Sequence, residues 1–149
     1  MLLVDSPVGT LAIRADVVVQ AIRIIEPTTL VGTATPLEQD VARELEEYFA
    51  GERTEFTVPL AQSTNELQHR VWEFLDRIPF GEVVTYGHIA RELGYEPGAA
   101  RAIGGAVGAN PVLIVRPCHR VLGADGSLTG YAGGIGAKVW LLQHEGVLL

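Results

Sequence analysis

Residues 85–108 read TYGHIARELGYEPGAARAIGGAVG and carry the strongest local pattern in the chain. Thr85 is a residue type that caps helices, and the apolar spacing after it predicts a short helix that ends at Gly94. The turn at 95–98 contains proline and glycine and leads into a second helix, predicted over about 97–108. Two short helices joined by a tight turn are typical of a helix-turn-helix. They are also typical of an ordinary αα-hairpin, which the helices taken alone favour.

The second of these helices has glycines along one face. At helical spacing this face carries Arg101, Gly104, Gly105 and Gly108, while the inward face carries Ala99, Ile103, Ala106 and Val107. Each glycine inside a helix costs about 1 kcal/mol relative to alanine, so the three together cost roughly 3 kcal/mol. Close packing against another helix would offset this cost. A second explanation is a smooth surface that lets the backbone approach a ligand or a groove, with Arg101 as its projecting side chain.

The helix is followed by the only cysteine in the chain, Cys118. The apolar run 112–115 predicts a strand that Pro117 ends just before the thiol. A single cysteine cannot form an intramolecular disulfide, so this thiol is either buried packing or a reactive group. Because polar His119 and Arg120 follow it, the pattern favours a nucleophile presented at a strand end.

A thiol with an ordinary pKa of about 8.5 needs a base or nearby cations to react well at neutral pH. Adjacent side chains in an extended segment point apart, so we expect a water to connect His119 with Cys118. Glu145 lies in the last turn of a helix predicted over 137–145, where the dipole disfavours a carboxylate by roughly 0.3–1 kcal/mol. It is either an exposed accident or held by a partner, and a Glu–His–water–Cys relay would follow triad logic. Zinc-like spacing of ligands is absent from the sequence, so we expect no metal.

The first half predicts strands at 1–4, 10–14 and 17–25, with a turn at 6–9. A capping box at 35–38 starts a helix that Gly51 ends, and alternating residues predict a short strand over 56–60. A second capping box, at 63–66, starts the helix that precedes the pattern at 85–108. Glycines at 123–136 predict a tight turn at 124–126 and a loop at 130–134 that can come close to a bound molecule.

Composition narrows the classes of function. The chain is 48% hydrophobic and 19% charged, which is typical of a globular protein. Apolar runs fall short of the roughly 18 residues of a membrane span, and no signal-peptide pattern begins the chain, so we expect a cytoplasmic protein with a reduced thiol. Residues 1–59 hold four Lys/Arg against ten Asp/Glu, whereas residues 60–149 hold seven against eight. An anionic ligand would therefore favour the second half.

Six segments of the second half form a specific set: IPFGEVVTY at 78–86, RAIGGA at 101–106, NP at 110–111, PCHRV at 117–121, YAGG at 131–134 and LLQHEG at 141–146. Together they resemble the O6-alkylguanine-DNA alkyltransferases, in detail from about residue 64 and more loosely over the first 60, where SPVG at 6–9 and EYFAG at 47–51 fit. The resemblance implies an α+β fold in two domains. Residues 1–60 would form a structural, ribonuclease H-like domain with a small antiparallel sheet and a helix. Residues 61–149 would form a helical domain with a winged helix-turn-helix that binds DNA and transfers the alkyl group.

The resemblance also implies DNA repair by direct reversal of damage. A methyl or alkyl group would pass irreversibly from O6 of guanine, and from O4 of thymine, to the protein's own cysteine, once per molecule and without a cofactor. The partner would be double-stranded DNA bound through its minor groove by a monomer, at the nucleoid of a prokaryote. Cys118 would be the acceptor, His119 the water-mediated base, Glu145 its orienting carboxylate and Asn110 the tie between recognition helix and active-site strand. Arg101 would enter the base stack above a surface formed with Gly104 and Gly105, Tyr86 would press on the neighbouring phosphate, and Tyr131, Val121 and Ala132 would line the base pocket.

Three positions depart from the family pattern. Arg116 stands where an aliphatic residue is usual, Gly108 where a second basic residue is common, and Leu113 where some members have a proline that helps hold benzyl adducts. Two other classes of protein remain as alternatives. A thiol hydrolase would use Cys118 with turnover, and a helix-turn-helix protein that only binds lesions would not use the thiol at all.

Overall fold

In this computed structural model the structure describes residues 1–28 and 32–147. The chain divides into two compact units, a first unit of residues 1–61 with 111–115 and a second unit of residues 62–110 with the chain from 116 on. The assignment of a structural role to residues 1–60 and of DNA binding and transfer to 61–149 stays a prediction.

The first unit is built on a three-stranded antiparallel sheet in the order β1 (Leu2–Ser6), β2 (Gly9–Ala15), β3 (Val19–Ile25). Register pairs Leu11 of β2 with Val4 of β1 and with Ile24 of β3. Leu11 and Ile13 of β2 and Val19 and Ile22 of β3 are completely buried, so these two strands contribute to the core of this unit. The three predicted strands and the turn between the first two are confirmed.

Helix α1 (Pro36–Phe49) begins with the predicted capping box, in which the Thr35 side chain accepts from the Glu38 amide and the Glu38 carboxylate accepts from the Thr35 amide. The second oxygen of Glu38 accepts from the Ala15 amide at 3.0 Å and so ties the helix to β2. Gly51 follows the last turn with a φ of 78°, a conformation that favours glycine, so the predicted helix end is also confirmed.

The predicted strand over 56–60 is wrong. Leu60 forms an isolated bridge with Val19 outside the named strands. Pro59 has no N–H to donate to a ladder, and the Thr57 amide donates instead to the Glu44 carboxylate at 2.8 Å. The backbone N–H that the predicted strand would use for pairing is therefore absent at Pro59 and already hydrogen-bonded at Thr57.

The second unit contains helices α2 (Glu66–Leu75), α3 (Tyr86–Glu92), α4 (Ala100–Gly108) and α5 (Ile135–His144). Thr85 caps α3 as predicted, and one 3₁₀ turn at Pro97–Ala99 precedes α4. The cap of α2 was predicted at the wrong residue, because Asn65 rather than Ser63 accepts from the first turn, while the Ser63 hydroxyl accepts from the Asn65 amide. Strands β4 (Val84–Thr85) and β5 (Val121–Leu122) pair in parallel.

The strand predicted before the thiol is also wrong. Val112 makes a single bridge to Ile22, and Ile114 then turns the chain with a φ of 72°. Pro117 has φ −82° and ψ 62°, an inverse γ-turn in which the Cys118 amide donates to the Arg116 carbonyl at 2.8 Å. Cys118 consequently begins a 3₁₀ turn, Cys118–Arg120, which we call the thiol turn, rather than ending a strand. None of the helices within the described ranges is long and apolar enough to cross a bilayer.

Candidate active site

A cavity of about 300 Å³ opens in the second unit between α4, the thiol turn and the loop at 130–132. Its volume is at the lower end of the range for small-molecule sites. It is lined by Tyr86, Gly104, Val107, Gly108, Asn110, Cys118, Gly130, Tyr131 and Ala132. Sequence reasoning placed six of these residues in the site. Val121 is not among the lining residues, because it is fully buried within β5.

Cys118 lines this cavity and is 7% exposed. Burial raises the pKa of Cys118, while a hydrogen bond with Asn110 and the charges of Lys138 and Arg116 act to lower it. The amide of Asn110 also donates to the Arg116 carbonyl at 2.9 Å, so Asn110 connects the end of α4 with the thiol turn. A buried thiol with a raised pKa is protonated near neutral pH and needs a base before it can attack.

His119 supplies a basic atom in this site. Its ring is completely buried, and Nε2 lies 2.8 Å from Oε2 of Glu145. Burial lowers the pKa of His119, and Glu145 opposes the shift without reversing it, so the ring is neutral at physiological pH. A neutral ring that faces a carboxylate through Nε2 carries its proton there, which leaves Nδ1 as the acceptor. Nδ1 has no hydrogen-bond partner among the described residues.

Glu145 is held by two side chains. Besides His119, Arg120 donates to it twice, from Nε to Oε1 at 2.7 Å and from Nη2 to Oε2 at 2.9 Å. Burial alone would raise the pKa of Glu145, but the hydrogen bonds from His119 and Arg120 hold it well below the ordinary value. The unfavourable carboxylate at the helix end is therefore held by partners, and of the two explanations left open by the sequence, the exposed accident is excluded.

Arg120 and Lys138 are two charged residues at the site that the sequence analysis does not assign to it. Arg120 also donates to the Ile78 carbonyl at 2.6 Å, which fixes the guanidinium beside Glu145. Lys138, on the first half of α5, donates to the carbonyls of Val121 and Thr129 at 2.8 and 3.2 Å. The sequence contains a feature that could have identified Arg120. It is a basic residue two positions after Cys118, and a cation of this kind can pair with a carboxylate at a helix end such as Glu145. No comparable sequence signal marks Lys138.

Gly81 explains why the chain can close around Glu145. Its φ is 86°, and a Cβ at this position would lie 3.2 Å from the Glu145 carbonyl oxygen. A side chain would be both strained and crowded there. The glycine at the end of the segment 78–81 thus allows the backbone to approach the end of α5.

The face of α4 predicted to be smooth is open. Cβ atoms added at Gly105 and Gly108 would meet no atom within 4 Å, and one at Gly104 would meet only the Tyr86 ring at 3.8 Å. Packing of another helix onto Gly105 and Gly108 is therefore excluded as the offset for their cost within the described structure. Arg101 is exposed at the start of this face, while Ile103, Ala106 and Val107 are buried as predicted.

The loop beside the cavity contributes a second unpartnered polar atom. Tyr131 lines the cavity, and its hydroxyl has no hydrogen-bond partner among the described residues. Its ring meets the His119 ring edge-on, with 6.4 Å between the centroids. Burial raises the pKa of Tyr131 well above its ordinary value, so the hydroxyl keeps its proton and is available as a donor.

Fold and site together define an α+β protein with a helix-turn-helix, a buried thiol beside a histidine–glutamate pair, and an open glycine face on α4. Two family models match the chain, the DNA-binding domain of 6-O-methylguanine DNA methyltransferase over residues 66–147 and its ribonuclease-like domain over residues 29–62. The chain belongs to the 6-O-methylguanine DNA methyltransferase family, and the predicted α+β fold class is confirmed.

Relatives are similar over most of the chain. The methylated-DNA–protein-cysteine methyltransferase of Mycolicibacterium paratuberculosis is 47% identical over 148 residues, covering 95% of this chain and 89% of the relative. The protein of the same name from Shigella flexneri is 53% identical over 107 residues, covering 71% of this chain and 62% of the relative. Mycobacterium tuberculosis OGT, solved in complex with DNA, superposes with a TM-score of 0.85 at 46% identity, covering 96% of this chain and 90% of that one.

Proposed function

We propose that this chain repairs alkylated DNA by transferring the alkyl group from O6 of guanine, and from O4 of thymine, to Cys118. The observation that carries the assignment is a buried thiol that lines a cavity, next to a neutral histidine that is fixed by a buried carboxylate. The names of the relatives support the same reaction, a methyl transfer from DNA to a protein cysteine. The chain is thus a DNA-repair transferase, and its acceptor is one of its own residues.

The proposed reaction begins with removal of the thiol proton. Nδ1 of His119 accepts this proton through a bridging water, while Glu145 stays anionic and stabilises the imidazolium that forms. Sγ of Cys118 then forms a bond to the alkyl carbon as the bond from that carbon to O6 breaks. The electron pair of the broken bond stays with guanine, which takes up one proton. The thioether has no hydrolytic exit, so each molecule reacts once.

DNA is engaged through the open face of α4. The backbone at Gly104 and Gly105 approaches the minor groove, and Arg101 fills the space left by the extruded nucleotide. Extrusion is required because an atom inside the duplex stack is not accessible to attack by a buried thiol. Tyr86 contacts the phosphate next to the lesion, and Tyr131 and Ala132 enclose the extruded base. We further propose that a monomer does this at the nucleoid, in the cytoplasm of a prokaryote.

The test compares wild type with Cys118→Ser by intact mass after incubation with duplex DNA containing O6-methylguanine. Wild type should gain the mass of one methyl group, in a single burst without turnover. Cys118→Ser should fold and bind DNA but gain nothing, because an alcohol is a far poorer nucleophile than a thiolate. A methyl group on another residue of the variant would refute the assignment of Cys118.

The same measurement separates the two other classes of protein. A lesion-binding protein would leave both mass and DNA unchanged. A thiol hydrolase would turn over repeatedly and keep its original mass. One stoichiometric methyl group per wild-type molecule is expected only of the transferase.

A further inference from the structure

A completely buried arginine lies directly before the thiol turn and has no part in the proposed chemistry. The guanidinium of Arg116 pairs with the Asp76 carboxylate, from Nε to Oδ1 at 3.0 Å and from Nη2 to Oδ2 at 3.4 Å. It also lies over the Trp72 ring, with 4.8 Å between its central carbon and the ring centroid. Asp76 is the C-cap residue of α2, so the side chain of Arg116 is hydrogen-bonded to the C-terminal end of that helix.

The backbone of the same residue holds the acceptor. The carbonyl of Arg116 accepts from the Asn110 side chain at 2.9 Å and from the Cys118 amide at 2.8 Å. These two bonds join the end of α4, the inverse γ-turn and the first residue of the thiol turn. A shift of this carbonyl would therefore move the thiol relative to the cavity that receives the base.

Stability is a weak explanation for this buried ion pair. Desolvation of two charges offsets much of their attraction, and apolar residues often replace such pairs without loss. The geometry of the pair is specific, however, because a planar guanidinium bonds a carboxylate through two nitrogens and stacks on an aromatic ring at once. Trp72 is itself fixed, since its Nε1 donates to the Ala106 carbonyl of α4 at 2.9 Å.

We propose that Arg116 is a positioning residue for alkyl transfer. Its side-chain contacts with Asp76 and Trp72 hold its own backbone carbonyl in place, and this carbonyl accepts hydrogen bonds from Cys118 and Asn110. The proposal rests on the assignment of Cys118 as acceptor. Arg116 does not touch the substrate. It acts by holding the reacting sulfur at the correct distance and angle, and a misplacement of about 1 Å can cost on the order of a hundredfold in rate.

The experiment measures single-turnover methyl transfer to Arg116→Met from duplex DNA containing O6-methylguanine and from the free O6-methylguanine base. Methionine keeps the length and apolar stem but loses the two-pronged grip. We expect both rates to fall by on the order of tenfold, while the Kd for DNA changes less than twofold. If Arg116 contributes only to the stability of the fold, the variant will have a lower melting temperature but unchanged rates of methyl transfer in the folded protein. That result would overturn the proposal.

A lysine variant separates position from charge. Arg116→Lys keeps a cation near the thiol but cannot bond Asp76 through two nitrogens or stack as a plane. We expect it to recover little of the rate lost in Arg116→Met. Full recovery would mean that charge acting on the thiol, rather than position, accounts for the effect, and would overturn the proposal.

Arg70→Met is the matched control. Arg70 is also gripped, with bonds to the Tyr95 hydroxyl at 2.8 Å and the Leu93 carbonyl at 2.7 Å and stacking at 4.9 Å over the Tyr95 ring. Arg70→Met loses two hydrogen bonds and a stacking contact just beyond α3, where these partners include neither Asn110 nor Cys118. Its rate with the free base should equal that of wild type.

If Arg116→Met does not fold, Asp76→Asn decides the question from the other side of the pair. Asparagine keeps one side-chain oxygen that can accept a hydrogen bond from the buried guanidinium, while the pairing of two nitrogens with two carboxylate oxygens is lost. We expect a loss of severalfold with both substrates, and unchanged rates would overturn the proposal. A wild type that gains no methyl group at all would refute the acceptor assignment instead, so the two failures are distinguishable.

Discussion

Glu38 in the first unit and Glu145 in the second are both buried carboxylates with more than one hydrogen-bond donor. Glu38 accepts from the backbone amides of Thr35 and Ala15, at 3.0 Å each. Glu145 accepts from the side chains of His119 and Arg120 instead. Burial would raise the pKa of both carboxylates, and in each case the donors reverse that effect.

The difference lies in what each carboxylate fixes. Glu38 fixes the start of α1 against β2, so its replacement is expected to lower the stability of the fold. Glu145 fixes the tautomer and orientation of a histidine whose other nitrogen has no partner among the described residues. Two carboxylates with similar burial are therefore expected to fail in different ways when they are replaced.

The largest contrast is expected between Glu145→Gln and Glu38→Gln. Glu145→Gln should slow methyl transfer on the order of a hundredfold, because His119 loses the anion that supports its proton uptake, while DNA affinity stays nearly constant. Glu38→Gln should leave the rate of the folded protein unchanged and lower the free energy of unfolding by about 1 kcal/mol. Single-turnover kinetics and urea unfolding of both variants check this. Equal rates in the two would remove Glu145 from the relay.

A smaller and more selective effect is expected at Arg101. Arg101→Ala should slow repair of O6-methylguanine in duplex DNA by about tenfold or more, because an intruding side chain offsets part of the cost of extruding the nucleotide. Reaction with the free O6-methylguanine base needs no extrusion and should change much less. If both substrates slow equally, Arg101 supports the fold or the thiol, and the proposed minor-groove docking is wrong.

The smallest effect is expected at Gly105. Gly105→Ala adds a methyl group that meets no atom within 4 Å, so helix propensity should raise the free energy of unfolding by up to about 1 kcal/mol. The same methyl group lies on the face proposed to approach DNA, so affinity for duplex DNA should fall. Thermal unfolding and DNA titration together test the point. A gain in stability with unchanged DNA affinity would show that this face does not lie against the groove.

Much of the fold could be predicted because it follows from local rules. The capping box at 35–38, the cap at Thr85 and the inward face of α4 depend on residues within one or two turns of each other. A carboxylate at the C-terminal end of a helix is locally unfavourable, so the sequence already indicates that Glu145 is either exposed or bound by a partner.

What the sequence could not predict depends on distant partners. The apolar run 112–115 predicts a strand, but Ile114 adopts a left-handed conformation and the prolines on either side have no N–H to donate. Lys138 donates hydrogen bonds to two carbonyls, 17 and 9 residues away in the sequence, and local spacing patterns do not predict contacts of this kind. The grip of Arg116 on Asp76 spans 40 residues of chain and becomes visible only in three dimensions.

Thr85 has two roles in the second unit, and they limit how the protein can work. It is the last residue of β4 and the cap of α3, while β4 pairs with β5 immediately after the thiol turn. The first helix of the helix-turn-helix and the reactive sulfur are thus attached to one short stretch of hydrogen-bonded backbone. This backbone connection sets the distance between α3 and the sulfur that we propose to be the alkyl acceptor. In the proposed reaction the sulfur therefore stays in place, and the extruded nucleotide moves to reach it.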